Sequence, residues 1–247
     1  MPCLFFITFV GRQNTELMKK IKIIPAILAI LLIAITVQGQ DNEFRRNLET
    51  KVDLFTDIWQ DAPAALNEKT FNRGVNIYGM YNFPVKNTAL NFQIGAGVGI
   101  HNLYHENMLE KDDNGNTIMA TIPDTLQNGS NTGVDNAKFS FGYLDVPLEM
   151  HIETQSDLRA AIGFKVGLLI NSLSKYKGDN FESAQGGSIK IKEKDLDNTN
   201  SLRYGPTLRL GYKWIDLFAY YSLTPVFEEN KGPEMYPVSV GISVVKF

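Results

Sequence analysis

Cysteine is all but absent from this chain. Its one copy, Cys3, precedes everything expected in the mature protein, so no disulfide framework and no thiolate metal site can form there. Histidine is nearly as scarce, with three residues, His101, His105 and His151, which leaves little for general-base catalysis. The formal net charge is -3 and no Lys/Arg run stands out, which argues against a nucleic-acid binder with the usual basic stripe. Beyond Gln40 no long apolar run remains, so no transmembrane helix is available there. The 44% hydrophobic content decides nothing alone: it suits a soluble enzyme, and equally a membrane barrel whose apolar residues take alternate positions.

The one long apolar run lies near the start. Met18-Lys19-Lys20-Ile21-Lys22 is a basic opening, residues 23–37 are an apolar core interrupted only by Pro25, and Val37-Gln38-Gly39 is a small-residue exit. That is the layout of a secretory signal peptide, expected over residues 18–39 with cleavage near Gly39 or Gln40. Residues 1–17 have no place in it and are read as an upstream extension, with Met18 as the true start. The competing reading is an uncleaved anchor, because residues 21–37 reach the lower limit for a span, roughly 17 residues. No cysteine follows the apolar run, which excludes a lipoprotein anchor.

After a short periplasmic lead, residues 40–51, the pattern changes to a period of two. Leu90, Phe92, Ile94, Ala96, Val98 and Ile100 alternate with Asn91, Gln93, Gly95, Gly97 and Gly99. Leu144, Val146, Leu148, Met150 and Ile152 alternate with Tyr143, Asp145, Glu149 and His151. Residues 158–171 set Ile162, Phe164, Val166, Leu168 and Ile170 against Arg159, Gly163, Lys165, Gly167 and Asn171, and residues 202–212 repeat the scheme with Arg203, Thr207 and Arg209 on the polar face. Such alternation marks strands. Runs of ten to fifteen residues exceed the five or six usual in soluble sandwiches and match a transmembrane barrel, apolar outside and polar inside.

Strands are expected at 52–59, 71–83, 89–104, 138–153, 158–172, 201–213, 215–225 and 236–247. The connections alternate between tight (84–88, 154–157 and the turn at Trp214-Ile215) and long (60–70, 105–137, 173–200 and 226–235). Short periplasmic turns, longer extracellular loops and an even strand number are the plan of an outer-membrane barrel. The expected fold is therefore all-β: an eight-stranded antiparallel up-and-down transmembrane barrel over residues 52–247, both termini periplasmic.

Asp145, Glu149, Arg159, Lys165, Arg203 and Arg209 share the inward parity, and glycines beside them leave room in a narrow bore. These charges are expected to pair across strands, with Lys165 against Asp145 or Glu149, and to close the barrel rather than form an ion pathway. Pro147 and Pro206 lack a ladder donor, and a bulge is expected at each. Tyr78, Tyr81, Phe83, Tyr104, Phe139, Phe141, Tyr212, Trp214 and Tyr236 fall near strand ends, where aromatic girdles lie. All three histidines read as surface residues, since no Ser-His-Asp grouping assembles from their places. Asp112-Asp113-Asn114-Gly115-Asn116 opens like a calcium loop, but Thr117 and Pro123 stand where Gly and Glu are needed. It reads as a solvated turn with an Asn-Gly tip. No catalytic, cofactor-binding or metal-ligating residue is expected. Ser188-Ile189-Lys190-Ile191-Lys192 alternates and reads as a hairpin extending above the membrane.

Three segments carry a family resemblance: Tyr143-Leu-Asp-Val-Pro-Leu-Glu149, Gly163-Phe-Lys-Val-Gly-Leu-Leu-Ile-Asn171 and the terminal Val240-Gly-Ile-Ser-Val-Val-Lys-Phe247. Together they resemble the PorT-like outer-membrane β-barrel family of Bacteroidetes-type bacteria. The resemblance implies eight strands and an outer-membrane location, and makes Pro147 a family feature. One branch of that family belongs to a protein-secretion apparatus, and nothing here singles it out. Phe247 looks like the terminal aromatic read by the barrel-assembly machinery. The face reached by counting back from it (Val245, Ser243, Gly241, Ser239) is mixed, which calls for a bulge near Val245-Lys246 or a Phe247 turned away from lipid. Expected partners are the lipid bilayer, that machinery and an unidentified envelope protein. The expected role is a non-catalytic structural or interaction module acting through loops 105–137 and 173–200. The alternative is an accessory of envelope secretion or transport, and a lipid-modifying barrel hydrolase trails.

Overall fold

The computed structural model describes residues 46–63, 66, 71–122, 132–180 and 187–246. The signal segment, the upstream extension and Phe247 lie outside the described residues. Within them the chain forms β1 (Leu48–Gln60), β2 (Arg73–Pro84), β3 (Leu90–His105), β4 (Asn107–Lys111), β5 (Thr117–Thr121) and β6 (Val134–Glu153). There follow β7 (Leu158–Asp179), β8 (Ser188–Lys194), β9 (Leu202–Tyr212), β10 (Ile215–Tyr221) and β11 (Tyr236–Lys246). Eight of these close a ring in the order β1-β2-β3-β6-β7-β9-β10-β11, and β11 returns to β1 from Thr50↔Lys246 to Gln60↔Tyr236. Every pairing is antiparallel between strands that follow one another in the chain, so the eight-stranded up-and-down barrel stands. β4 and β5 form a separate hairpin, and β8 adds a ninth strand beside the far end of β7.

Two ends follow. At the short-turn end the connections are residues 85–89, 154–157 and 213–214, with Asn87, Asp157 and Lys213 taking positive φ to reverse the chain. At the long-loop end lie residues 61–72, 106–133, 180–201 and 222–235. β1 reaches back to Leu48, earlier than the alternation suggests, and brings Glu49 and Lys51 into the barrel.

The pleat sends alternate side chains to opposite faces, and the two faces differ completely. Outward positions such as Leu54, Ile77, Phe92, Ile94, Val98, Leu148, Phe164, Leu168, Leu208 and Ile242 are large, apolar and exposed. From the short-turn rim up to the level of Arg73 and Lys138, no outward strand position whose side chain is described is charged. On β3 this belt runs from Leu90 to Ile100, about 33 Å of strand; at the usual tilt its height is about 25 Å, the height of a lipid-facing band.

The bulges expected at the two prolines are absent for identifiable reasons, and of the two alternatives for the end of β11 the bulge drops out. Neither proline makes a bulge. Pro147 stays in register with Lys165 of β7, and Pro206 with Phe164. On the opposite side of each, rungs drop out: the β3–β6 ladder skips from Ile94↔Leu148 to Gly97↔Asp145, and the β9–β10 ladder ends at Thr207. A proline lacks its donor on one side only, and losing rungs there absorbs it without an inserted residue. Register shifts do occur between β6 and β7, one at Asp135 of β6, between Val134↔Gly178 and Asn136↔Lys177, and one at Ile170 of β7, between Gly142↔Asn171 and Tyr143↔Leu169. An extra residue resets the alternation, so Asn171 faces outward and Ser172 inward. Finally, the β1–β11 ladder runs without a shift to Lys246, so the bulge near Val245-Lys246 is absent. Val238, Val240, Ile242 and Val244 face out, while Ser239, Ser243 and Val245 are buried.

Candidate functional site

The barrel interior is where the chemistry concentrates. All six charges expected to face inward are buried, and five further acids and bases join them: Lys51, Asp53, Asp57 and Glu49 from β1 and Asp216 from β10. The signal for the first three was present, since they alternate with Val52, Leu54, Thr56 and Ile58 in the same period of two.

The pairs form layers. Nearest the short-turn end, Lys51 Nζ donates to Gln93 at 2.5 Å and to Glu149 at 2.8 Å, and His151 Nε2 lies 2.9 Å from the same carboxylate. Arg159 meets Asp216 at 2.6 Å. One layer up, Arg209 bridges two acids, donating through Nε to Glu149 at 2.8 Å and through Nη1 to Asp53 at 2.9 Å. In the middle, Arg203 holds Asp145 with Nη2 at 2.8 and 3.0 Å from its two oxygens. The same guanidinium lies 3.7 Å over the Tyr143 ring and places Nη1 2.8 Å from His101 Nε2. His101 Nδ1 in turn is 2.8 Å from Asp57, whose other oxygen accepts from Ser239 at 2.6 Å.

Glycine makes the central pair possible. Asp145 and Arg203 belong to β6 and β9, which are not neighbours, and Gly167 of β7 stands in register between them. A Cβ on Gly167 would lie 2.2 Å from Asp145 Oδ1 and 2.9 Å from Arg203 Nε. Without it the two side chains meet above the bare backbone.

Lys165 is not the principal partner of either acid. Its Nζ stands 3.9 Å from Asp145 and 3.8 Å from the centre of the Tyr220 ring, so it is held largely by a cation–π contact. Nor are the histidines on the surface: His101, His105 and His151 are each at most 3% exposed. Their parity on β3 and β6 is inward, where burial was decided by the closed ring rather than by the residue type. The aromatic girdle needs the same revision. Phe83, Tyr212 and Trp214 are exposed on the outer wall, whereas Tyr78, Phe139 and Phe141 are buried inside.

Towards the long-loop end the filling turns apolar. Trp59, Leu103, Phe139, Phe141 and Tyr143 pack with Leu66, Leu196, Val226, Phe227 and Met235 from the loops. The loops also bind one another. Thr117 N–H donates to Lys231 O at 2.9 Å, Asn198 Nδ2 to Gly115 O at 2.9 Å, and Asn200 Nδ2 to Phe227 O at 2.8 Å. Lys111 pairs with Asp197. The Asp112 turn is as expected: Oδ1 accepts from the N–H groups of Asn116 and Asn114 at 2.8 and 2.9 Å. The Asn116 hydrogen bonds hold the carboxyl of Asp112 below its ordinary range. These oxygens are committed to the turn joining β4 to β5. Ser188–Lys194 does form a strand, pairing with Leu173–Asp179 to lengthen the β7 arm.

The arrangement is a filled bore. Ion pairs, with Phe55, Tyr78, Phe218 and Tyr220 among them, fill the part nearer the short turns, the apolar cluster fills the part nearer the long loops, and interlocked loops cap it. Chemically it can hold strands together and present the cap as one surface. Ser239 Oγ donates to the Asp57 carboxylate rather than to His101, and both ring nitrogens of His101 are engaged.

A family model described as an outer membrane protein beta-barrel domain matches residues 55–228, more than half of the chain. A search of curated proteins returns no match.

Proposed function

The chain belongs to the outer-membrane protein β-barrel domain family, and from that premise we propose that this integral outer-membrane barrel is a closed, non-catalytic module that acts through its long-loop end. The observation that carries the reading is the continuous packing of the interior, from Lys51 and Glu149 through Arg203 and Asp145 to Phe139 and Phe227, each under a tenth exposed. Eight strands leave room for packed side chains and little else, and here that room is occupied. No path for a solute and no acid–base pair open to lipid remains among the described residues. Elaboration is confined to the other part of the molecule: the β4–β5 hairpin, the β7–β8 arm and the connections that bind them. Recognition concentrates on loops held by a rigid scaffold, and these loops are fixed to each other by backbone hydrogen bonds. On this reading the long-loop end is extracellular and both termini are periplasmic.

The PorT-like resemblance of residues 143–149 favours a narrower form of the same proposal, an accessory of envelope secretion that uses this cap against another envelope protein. Two measurements test the broader form together. Purified barrel in planar bilayers is expected to give no stable conductance. A photo-reactive residue placed at the exposed Ile118 on the β4–β5 hairpin is expected to cross-link a discrete envelope partner, while one at Lys86 in the short-turn end does not. Steady current, or identical cross-links from both ends, would overturn the proposal.

A further inference from the structure

The outer wall at the long-loop end carries a basic patch that no feature of the interior explains. Lys138 of β6 stands directly opposite Lys175 of β7, and Lys175 directly opposite Lys192 of β8. One step higher, Lys177 faces Lys190. Tyr104 of β3 continues the first row beyond Lys138, and Arg73 of β2 lies with its guanidinium 5.4 Å from the Tyr104 ring centre, on the same ring that Lys138 approaches at 5.5 Å. With Lys194 of β8, opposite Leu173 and one step below Lys192, seven cations share one face of five adjacent strands. The Ile170 bulge puts two of them there, since it is what turns Lys175 and Lys177 outward.

Like charges directly opposite on a sheet repel and destabilise it. Compensation from the protein is slight. Asp135 pairs with Lys177 at 2.8 Å, and Lys138 donates to Asn102 at 2.8 Å. Among the described residues, Lys175, Lys190 and Lys192 have no ion-pair partner. Glu193 alternates to the other face of β8, opposite Ser174. Among the described residues of the neighbouring connection, Glu110, Asp112 and Asp113 form no salt bridge with the patch.

Height identifies the missing anion. The row of Tyr104, Lys138 and Lys175 lies four residues above Ile100, the last apolar outward position of β3. At the strand rise and usual barrel tilt this is about 10 Å above the belt. That is the edge of the headgroup layer, within reach of a lysine stem extended along the wall. Asn102, Ser140 and Leu173, all uncharged, occupy the step between. The patch continues the lipid-facing wall and is not part of the cap surface.

We propose that this patch is a lipid site: it binds the phosphate of headgroups with net negative charge in the leaflet at the long-loop end, with Lys138, Lys175 and Lys192 as the central row and Arg73, Lys177, Lys190 and Lys194 flanking it. A headgroup phosphate over that row accepts from two strands at once and removes the repulsion between them. The inference needs the barrel in a membrane, and stands whether or not the cap has a protein partner.

The test is the ratio of phosphatidylglycerol to phosphatidylcholine retained by the barrel from mixed nanodiscs, read by native mass spectrometry. The wild-type protein is expected to retain phosphatidylglycerol preferentially. Lys138→Gln/Lys175→Gln/Lys192→Gln is expected to lower that preference by up to about a hundredfold, since each basic residue near an anionic surface contributes roughly fivefold. Lys86→Gln/Lys111→Gln/Lys231→Gln removes the same charge elsewhere and is expected to leave the preference intact. A heat-shifted gel band confirms that each variant is folded. Equal retention of both lipids by the wild type, or equal loss in both triple variants, overturns the proposal. Abolition of the preference by millimolar inorganic phosphate overturns it too, by showing a site for free phosphate instead. With lipid excluded, an acidic protein segment is the occupant left.

Discussion

Asp145 keeps its charge in the middle of the barrel because the residue beside it has no side chain. With Gly167 in register, Arg203 reaches over β7 and gives the carboxylate two donors within 3.0 Å. Burying an ion costs several kcal/mol unless it is paired and hydrogen-bonded, and removing one partner of a buried pair typically costs about 3–5 kcal/mol. Arg203→Met leaves Asp145 with Lys165 at 3.9 Å as its remaining cation. It is expected to lose about 3–5 kcal/mol, measured by urea unfolding from lipid vesicles. Asp145→Asn in the same chain is expected to return most of that loss, because no uncompensated carboxylate then remains. A double variant no more stable than Arg203→Met alone would mean that the pair matters through packing against Tyr143 and not through charge. The parity of both residues was legible in the alternation of β6 and β9. Their partnership was not, since a strand intervenes and the sequence separation is 58 residues.

At the scale of the element, β7 is the strand that reads one way and folds in two registers. Up to Leu169 its odd positions face inward; beyond Ile170 the even ones do. A one-residue slip moves every following side chain to the other face, so the bulge decides which way Lys175 and Tyr176 point. Deleting Ile170 would remove the extra residue while leaving Leu169 and Ser172 inside. The expected cost is about 1 kcal/mol, that of an ordinary point change. Deleting Val166 has no bulge residue to absorb it locally. It turns Gly167 outward and sets Leu168 beside Asp145, breaking the central pair at about 3–5 kcal/mol. Refolding yield and urea midpoints of the two deletions measure the difference, and equal costs would show that the bulge itself is required. The bulge was invisible in the sequence because Ile170 is an apolar residue that fits the preceding alternation. The prolines drew attention instead, yet each is accommodated by missing rungs on one side.

For the whole molecule the decisive quantity is the uncharged belt. An arginine or lysine facing lipid near mid-membrane costs about 2–4 kcal/mol. Val166 lies within this belt, 36% exposed, while the next residue in the chain, Lys165, is 2% exposed. Val166→Arg is therefore expected to lower stability in vesicles by about 2–4 kcal/mol. Nothing inside the barrel can relieve it. A harmless Val166→Arg, together with labelling of a cysteine at position 165 by a lipid-confined probe, would reverse the two faces and remove the interior altogether.

Alternation by itself determined that the chain is a barrel, that eight strands make its ring and, outside the bulged part of β7, which residues face inward. The reason is that the pleat has a fixed period of two, so one stretch of sequence carries the whole instruction for its own faces. The alternation of tight and long connections carried the rest of the topology. The tertiary structure alone decided which inward charges meet. Closure sets the stagger of each strand against the next, and that stagger brings Arg203 to Asp145, Arg209 to Asp53 and Glu149, and Lys165 to the Tyr220 ring. Closure also buried three histidines that have no local mark of burial. The basic patch is the clearest case: its cations come from four separate segments of a chain with no basic run, and only the registers of β6, β7 and β8 set Lys138, Lys175 and Lys192 side by side.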